Sequence, residues 1–337
     1  MRVVEIRDGW GLQNLPVTAR PDLEPGAGEL LLRMHAASLN ARDLMMARGQ
    51  YNPRQPLPLV IGSDGVGKVA ATGEGVERFK IGDRVMPIFS QGWISGEPTK
   101  RKIRSTIGGP LDGTLAESMV VNAESVVGAP EHLSDEEAAT LPTAAVTAWN
   151  ALVGLGSLKP GQVVLIQGTG GVSIFALQFA RLLGARVILT SSSDEKLERG
   201  RALGASETIN YSSDPDWGKT ARELSGGDGV DLVVEVGGAG TLGQSLVAVR
   251  PGGQINLLGV LSGASADFNV IPVFMKQVRI QGLLVGSREL FEQMNRAISA
   301  HELRPAIGKV FPFERTREAL EYLDGGSHFG KVCVRID

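Results

Sequence analysis

The spacing of apolar residues divides the chain into two parts. Up to about residue 130, short apolar runs are separated by glycine and proline, which is typical of strands joined by turns. The predicted strands are Val3–Ile6, Glu29–Ala37, Val66–Thr72, Asp83–Ile88 and Leu115–Val121. Short strands at this spacing favour a barrel-like or partly closed β domain.

A helical pattern begins at Ser134, because Glu137 follows it three residues later as a capping box requires. This helix should continue through Ala138–Leu155. Beyond it, buried-type strands alternate with helices, which indicates a parallel sheet covered on both faces. The predicted strands are Val163–Gln167, Arg186–Thr190, Glu207–Asn210, Val230–Val236, Gln254–Leu258 and Val278–Val285, with helices at Val172–Leu183, Glu195–Leu203, Trp217–Leu224 and Thr241–Val249. In the C-terminal part of the chain, the pattern predicts the helices Arg288–Ala300 and Arg315–Leu323 and a closing strand, Lys331–Ile336.

Length and composition narrow the class of protein. A chain of 337 residues can form two domains, each with its own core. The 44 glycines are about twice the usual share, which favours a turn-rich chain that approaches a ligand closely. A net charge of −3 gives no support to nucleic-acid binding. The single cysteine, Cys333, excludes an intramolecular disulfide and a cysteine-rich metal site. No signal peptide or membrane-length apolar run is present, so we expect a cytoplasmic protein.

The strongest local motif is the run Gly168-Thr169-Gly170-Gly171-Val172-Ser173. It follows a predicted strand and opens a predicted helix, the context in which such a run binds a dinucleotide. The strand must turn tightly into a helix whose first amides point at the pyrophosphate, and a side chain at Gly170 would block that approach. Ser173 departs from the strict fingerprint, which has a third glycine there.

The end of the second strand of this series decides between the two nicotinamide cofactors. An NAD enzyme usually has an acidic residue here, about 20 residues past the glycines. Ser191 occupies that place, and a serine removes the carboxylate that would repel a 2′-phosphate. Lys196 could supply a positive charge, so we expect NADPH rather than NADH. Alternatively, Ser192 caps the following helix in a box with Glu195, and Lys196 is a solvated side chain.

Several segments, in the right order along almost the whole chain, resemble the medium-chain dehydrogenase/reductase superfamily. They are Ser38-Leu39-Asn40-Ala41-Arg42-Asp43, Gly62-Ser63-Asp64-Gly65-Val66-Gly67, Gly82-Asp83-Arg84-Val85, the run Leu141–Trp149, Arg250-Pro251-Gly252-Gly253 and Gly330-Lys331-Val332. The resemblance is to the zinc-free, quinone-reductase-like side of the superfamily, close to the zinc-type alcohol dehydrogenase-like proteins. It implies an α/β protein with a Rossmann domain, a doubly wound parallel sheet at 146–284. It also implies a GroES-like catalytic domain, a partly closed β-barrel formed by 1–145 and 285–337.

The same resemblance locates the positions where zinc enzymes of the superfamily carry their catalytic metal ligands. Asn40, Ser63 and Thr143 stand there, and Asp64 replaces the glutamate beside the second ligand. Zinc binds thiolate, imidazole or carboxylate, and one carboxylate does not make a site. The four histidines show no ligand spacing. We therefore expect no metal.

Without zinc, a simple alcohol loses the Lewis acid that stabilises its alkoxide, so quinones and α,β-unsaturated carbonyls become the expected hydride acceptors. The resemblance implies three catalytic residues at the nicotinamide end of a cleft between the domains: Tyr51 as a donor to the developing oxyanion, Asn40 beside it, and Thr147 near the nicotinamide amide. The expected cofactor contacts, besides Gly168–Val172, are Ser191, Ser192, Lys196, Tyr211, Val236, Gly237, Gly259, Val260, Val285, Gly286, Ser287 and Lys331. Tyr211 matches a tyrosine lining the phosphate pocket of NADPH-dependent quinone reductases.

Other possibilities remain open from the sequence. An enoyl-thioester reductase or a metal-free alcohol dehydrogenase would use the same frame, and a non-catalytic NADPH-binding protein would keep only the cofactor site. The segment Phe89–Gly113 replaces a four-cysteine lobe and carries the basic run Lys100-Arg101-Lys102. It is a lid over the substrate, a site that attracts an acidic substrate tail, or a solvated loop. The apolar segments Val270–Phe274 and Val278–Leu284 resemble the edge at which relatives pair, so we expect a homodimer or homotetramer.

Overall fold

A computed structural model of the protein describes residues 1–265 and 267–336. The chain forms two compact units. Unit 1 comprises Met1–Val146 and Val285–Asp337, and unit 2 comprises Thr147–Leu284. Within the described ranges, no helix is long and apolar enough to cross a membrane.

Secondary structure follows in chain order. The elements that begin before Val146 are β1 (Arg2–Ile6), β2 (Val17–Ala19), β3 (Glu29–Leu39), α1 (Ala41–Ala47), β4 (Leu59–Val60), β5 (Asp64–Thr72), β6 (Arg84–Pro87), α2 (Lys100–Ile103), β7 (Ser118–Asn122), β8 (Val126–Gly128) and α3 (Asp135–Ala139). Those from Val146 to Leu284 are α4 (Val146–Trp149), β9 (Val163–Gln167), α5 (Gly171–Leu182), β10 (Arg186–Ser191), α6 (Asp194–Ala202), β11 (Glu207–Asn210), α7 (Trp217–Leu224), β12 (Val230–Glu235), α8 (Leu242–Ala248), β13 (Val249–Leu257), α9 (Ile271–Met275) and β14 (Arg279–Gly282). The chain ends with α10 (Arg288–Ala300), β15 (Ile307–Pro312), α11 (Thr316–Asp324) and β16 (Lys331–Arg335).

Unit 1 is built on a seven-stranded sheet with the order β15-β16-β3-β5-β6-β8, to which β7 adds by pairing with β3. Its pairs are antiparallel except for β15 with β16. A second sheet has the order β2-β1-β4. The GroES-like expectation is confirmed. The sheet matters for the site because it brings the ends of β3, β5 and β16 together.

Unit 2 is a six-stranded parallel sheet with the order β11-β10-β9-β12-β13-β14. The central strand β9 is buried at all five positions, which explains its continuous apolar sequence. Since all strands run the same way, their carboxyl ends meet at one edge, and the order reverses between β9 and β12. Ligands of doubly wound sheets bind at such a switch point. The Rossmann expectation is confirmed.

The structure corrects several predicted elements. The strand expected at Val278–Val285 ends at Gly282, and Val285 adopts a left-handed φ of 38° that no strand residue has. Helix α8 stops at Ala248, because Val249 already begins β13. The sequence patterns also missed the helices α1, α2 and α9 and the strands β2, β4, β8 and β15. The capping box at Ser134 and Glu137 is confirmed, and π-helical turns at Leu141–Ala145 and Asn150–Gly154 interrupt the helical segment that follows.

Candidate functional site

The glycine turn at the end of β9 has the geometry that the motif requires. Gly168 adopts a φ of 73°, in the left-handed region where a side chain is strained. Gly170 is the N-cap of α5 and has no side chain with which to cap the helix. The first amides of a 12-residue helix, and the positive end of its dipole, are therefore open to an anion.

Ser173 explains why the third glycine of the fingerprint is dispensable here. Its side chain is buried, and its hydroxyl donates a 2.6 Å hydrogen bond to the carbonyl of Gln167, the last residue of β9. The serine thus ties the first turn of α5 back to the strand, which is the close helix–strand packing that the third glycine provides elsewhere.

Ser191 ends β10 and is buried, and its hydroxyl accepts a 3.3 Å hydrogen bond from the amide of Ser193. Lys196 lies half-buried in the first turn of α6, and burial lowers its pKa. Tyr211 follows β11 with 43% of its surface exposed, and its amide donates to the Ser191 carbonyl. The structure therefore brings Ser191 and Tyr211 together at the sheet edge.

The N-cap of α6 differs from the predicted one. Ser193, not Ser192, is the N-cap of α6, and its hydroxyl accepts from the amide of Lys196. The predicted box of Ser192 with Glu195 is wrong by one position, because β10 continues to Ser191 and the helix begins later. Ser192 is exposed and remains a candidate cofactor contact.

A buried carboxyl group, which the sequence patterns did not single out, organises the strand ends beside the glycine turn. Glu235 ends β12 with no exposed surface. It accepts hydrogen bonds from the amides of Gly237 at 2.9 Å and Gly238 at 3.0 Å, and from the side chain of Gln167 at 2.6 Å. The hydroxyls of Thr241 and Ser245 also donate to it. A charged residue in the apolar run Val230–Val236 was the available sequence signal.

Gln167 and Glu235 together join the carboxyl ends of β9 and β12. The side-chain oxygen of Gln167 accepts from the amides of Val236 and Gly237 at 3.3 and 3.2 Å. The end of β13 packs just as closely: a Cβ on Gly259 would lie 2.3 Å from the Val236 carbonyl oxygen. Val260, which follows, is 46% exposed. The predicted contacts at Val236, Gly237, Gly259 and Val260 thus share one edge with Gly168.

In unit 1, a buried ammonium lies beside Asn40, one of the three residues at the expected metal-ligand positions. Lys331 begins β16, and its Nζ donates to the Asn40 side-chain oxygen at 2.6 Å, to the Leu39 carbonyl at 2.9 Å and to Asp64 Oδ2 at 3.2 Å. The amide group of Asn40 donates to Ser63 at 3.1 Å and to Asp64 at 2.8 Å. All three hydrogens of the ammonium and both of the Asn40 amide are therefore directed at protein acceptors.

Two carboxyl groups are completely buried beside this ammonium. Burial raises the pKa of Asp64, although the nearby Lys331 ammonium and the hydroxyl of Thr143 act in the opposite direction. Burial also raises the pKa of Asp43 to about 6. Asp43 forms a capping box with Asn40 at the start of α1, and its carboxyl group accepts a 2.9 Å hydrogen bond from the backbone amide of Asn40. Asn40, Ser63, Thr143 and Asp64 are thus brought together, as the resemblance implies.

This group of residues does not fit zinc. An amide and two hydroxyls replace the usual ligands, and the ammonium of Lys331 lies within hydrogen-bond distance of both Asn40 and Asp64. A cation so placed repels a second cation and occupies the lone pairs that a metal would need. Over residues 1–265 and 267–336, histidine, cysteine and carboxylate side chains nowhere gather in a group of three that could hold a metal.

Tyr51 follows α1 in an irregular segment and is 45% exposed. The guanidinium carbon of Arg42 lies 4.9 Å from the centre of its ring. Asn40, the donor expected beside Tyr51, uses its amide hydrogens within the Lys331 group. Thr147 is buried in the helical turn α4 of unit 2. In unit 1, Val285 is buried and Ser287 caps α10 by accepting from the amide of Leu290.

The segment Phe89–Gly113 is anchored within unit 1. Trp93 is buried, and the carbonyls of Trp93 and Ile94 accept hydrogen bonds at 2.9 and 3.0 Å from the first two amides of α10. Of the basic run, Lys102 binds the carbonyls of Ser95 and Glu97, whereas Lys100 and Arg101 are exposed. The segment therefore packs against the helix that follows Val285-Gly286-Ser287.

Comparison with known proteins agrees with this architecture. Residues 26–131 match the alcohol dehydrogenase GroES-like domain, and residues 171–300 match the zinc-binding dehydrogenase domain. A zinc-type alcohol dehydrogenase-like protein of Schizosaccharomyces pombe is 44% identical over 316 residues, which cover 92% of this chain and 91% of that protein.

Two solved structures illustrate the range of relatives. An NAD-dependent alcohol dehydrogenase superposes with a TM-score of 0.92 and 37% identity over the full length of both chains. A 2-octenoyl-CoA carboxylase reductase, solved with NADP and 2-octenoyl-CoA, superposes with a TM-score of 0.88 and 28% identity, covering 99% of this chain and 87% of that one. Fold, domain matches and relatives together show that this chain belongs to the medium-chain dehydrogenase/reductase superfamily and is an NAD(P)H-dependent oxidoreductase.

Proposed function

We propose that this enzyme transfers hydride from NADPH to a quinone or an α,β-unsaturated carbonyl without the help of zinc. The observation that carries the proposal is the Lys331 ammonium, buried 2.6 Å from the Asn40 side-chain oxygen and 3.2 Å from Asp64. This internal cation lies beside Asn40, one of the three residues at the positions of the catalytic zinc ligands, and within 3.2 Å of the Asp64 carboxyl group of the same unit, which supports chemistry without a metal.

The chemistry follows from that exchange. A zinc ion stabilises the alkoxide of a simple alcohol as a Lewis acid. The Lys331 ammonium cannot do so, because its hydrogens are already directed at Leu39, Asn40 and Asp64. Acceptors whose reduced forms carry delocalised charge need less assistance. Of the two predicted donors, Asn40 already uses its amide hydrogens, whereas Tyr51 is exposed and its hydroxyl would donate to the developing oxyanion.

The cofactor supplies the hydride when bound, and this chain offers residues suited to hold it. The glycine turn Gly168–Gly171 and the open end of α5 suit a pyrophosphate. Ser191 lacks the carboxylate that would repel a 2′-phosphate, while Lys196 and Tyr211 lie near it. The relative solved with NADP supports NADPH, whereas another is named NAD-dependent. The preference therefore rests on Ser191.

The test is an NADPH oxidation screen across quinones, enones, enoyl thioesters and aldehydes, with elemental analysis of the same sample. We expect turnover with quinones or enones and less than a tenth of an equivalent of zinc. About one zinc per chain, with activity lost to a chelator, would overturn the metal-free proposal. Cofactor binding with no turnover of any acceptor would favour a non-catalytic NADPH-binding protein, and reduction of simple aldehydes a metal-free alcohol dehydrogenase.

An enoyl-thioester reductase is the second candidate, because the 2-octenoyl-CoA reductase shares the fold over nearly the whole of this chain. Both candidates need a donor to an oxyanion, so Tyr51→Phe should lower kcat by roughly 10- to 1000-fold and leave NADPH affinity nearly unchanged. A higher kcat/KM for enoyl-CoA than for matched free enones would favour the thioester.

We also propose that unit 2 forms a homodimer, or a dimer of dimers, through the β14 edge. Strand β14 pairs with β13 and ends the sheet order among the described residues. The segment before it exposes large apolar side chains, including Ile271 at 56%, Phe274 at 62% and Met275 at 70%. An open edge beside such a patch favours pairing. Light scattering that gives a monomer mass at micromolar concentration would overturn this.

A further inference from the structure

The side chain of Arg42 packs against two aromatic rings and one turn, and its Nη1 lies 3.9 Å from Asp43 Oδ1. It projects from α1, and its side chain is 10% exposed. The guanidinium carbon lies 4.9 Å from the ring centre of Tyr51 and 5.0 Å from that of Phe89. Its nitrogens donate to the turn at 106–109, to the carbonyls of residues 107, 108 and 109 and to the hydroxyl of Thr106. A guanidinium suits this place because its planar fork can bind several oxygens while its faces pack on rings.

These contacts reach both ends of the segment Phe89–Gly113. Phe89 is its first residue, and the 106–109 turn lies near its last. Bridging between Ser90 and Thr106 joins the two ends in the same place. The guanidinium of Arg42 therefore contacts both the ring of Tyr51 and the base of the segment, which consists of Phe89 and the 106–109 turn. A displacement of either one changes the packing of the other.

Tyr51 is a partly exposed residue. It lies outside any helix or strand, and 45% of its surface is exposed. Its amide is tied to the Met45 carbonyl at 3.3 Å, which fixes the backbone but not the ring. An exposed aromatic ring changes rotamer on a fast timescale unless a partner covers one face. The guanidinium provides that partner.

Resting on the proposed role of Tyr51, we propose that Arg42 is a positioning residue. It holds the Tyr51 ring so that the hydroxyl points at the substrate oxygen, and it makes the base of Phe89–Gly113 part of the same unit. Arg42 touches neither substrate nor cofactor in this scheme. It acts on the rate only through Tyr51, and that restriction makes the proposal testable.

The experiment is a double-mutant cycle on NADPH-dependent reduction of an enone, with Arg42→Met, Tyr51→Phe and the combined variant. Arg42→Met should lower kcat by about 3- to 30-fold, the effect of losing a cation–π contact of intermediate burial, with KM for NADPH unchanged. In the Tyr51→Phe background the same substitution should change kcat less than twofold. Arg42→Lys should recover part of kcat, because a lysine can still cover the ring.

Arg48→Met is the matched control, since Arg48 ends the same helix but pairs with Asp324; its kcat should equal that of the wild type. If Arg42→Met does not fold, Arg42→Lys carries the same cycle. Multiplicative effects of Arg42→Met and Tyr51→Phe would overturn the positioning role and leave the function of Tyr51 intact. An unchanged rate in Tyr51→Phe would instead remove Tyr51 from the mechanism and this inference with it.

Discussion

Replacement of Lys331 by methionine tests whether its ammonium stabilises the buried carboxyl group of Asp64. The substitution keeps an unbranched side chain of similar length and removes only the charge and its donors. It leaves the Asp64 carboxyl group, which has no exposed surface, without the cation 3.2 Å away. It also removes the ammonium donor from the Asn40 side-chain oxygen and from the Leu39 carbonyl.

The magnitude follows from the geometry. Two charges 3.2 Å apart attract by about 5 kcal/mol at an effective dielectric constant of about 20. Removing one partner of a buried pair typically destabilises by about 3–5 kcal/mol. For a unit of about 200 residues, that loss lowers Tm by roughly 6–20 °C.

The cost of Lys331→Met should also depend on pH. Burial already raises the pKa of Asp64, and Lys331 is the charge that opposes this. Without the ammonium, the native pKa of Asp64 rises further, so the native state holds a proton that the unfolded chain has lost. The stability of the variant then falls as the pH rises through that pKa. The difference from the wild type should be larger at pH 8 than at pH 5.

Thermal unfolding at both pH values measures this directly. Asp64→Asn in the Lys331→Met background should recover more than half of the lost stability, because it removes the uncompensated charge. Lys68→Met is the control, since Lys68 is an exposed lysine on the same strand as Asp64. A Tm for Lys331→Met within about 2 °C of the wild type at pH 8, or a difference that does not grow with pH, would refute the reasoning.

Three further predictions concern other parts of the site. Ser191→Asp should shift the ratio of NADPH to NADH affinity at least tenfold toward NADH, because a carboxylate repels the 2′-phosphate and can bind ribose hydroxyls; fluorescence titration that finds the ratio unchanged would count against Ser191. Asp43→Asn should raise the free energy of unfolding by up to about 3 kcal/mol at pH 7 and by much less at pH 4.5, since the native pKa of Asp43 is raised to about 6 and its ionisation destabilises the folded state as the pH rises from about 4 to 6; urea unfolding that finds the same gain at both pH values would contradict this. Glu235→Gln should destabilise by about 2–5 kcal/mol and weaken NADPH binding, because an amide turns one acceptor into a donor among five donors; calorimetry with full retention of both would oppose it.

The secondary structure of unit 2 was easier to predict from the sequence than that of unit 1. Strands β9 to β12 lie at or within one residue of the predicted positions, since their signals, β-forming residues next to turn residues, are local. The end of the edge strand β14 was harder to predict. The apolar pattern predicts Val285 as a strand residue, although its φ is 38°. No neighbouring residue in the sequence predicts a left-handed backbone there. The cap of α6 was missed by one residue, because Ser191, Ser192 and Ser193 are chemically alike and only strand length chooses among them.

In unit 1, the sequence located the positions but not their chemistry. Asn40, Ser63 and Thr143 were recognised from motifs, and so was the absence of good zinc ligands among them. The partner of these residues is Lys331, 291 positions from Asn40, in a segment expected to contact the cofactor. Only the pairing of β16 with β3 brings the lysine there. The contact of Arg42 with Phe89 likewise depends on how a loop closes.

By itself, the amino-acid sequence determined the alternation of strands and helices from β9 to β13, the glycine turn, and the loss of the metal-ligand types, because each is set by residues near in the chain. The tertiary structure decided which charges meet. Lys331, Asp64 and Asp43 attract or repel according to distance and burial, and neither quantity is defined until β3, β5 and β16 have assembled. Secondary-structure propensity depends on residues close in sequence, whereas the interactions among these charges form only once the sheet has packed.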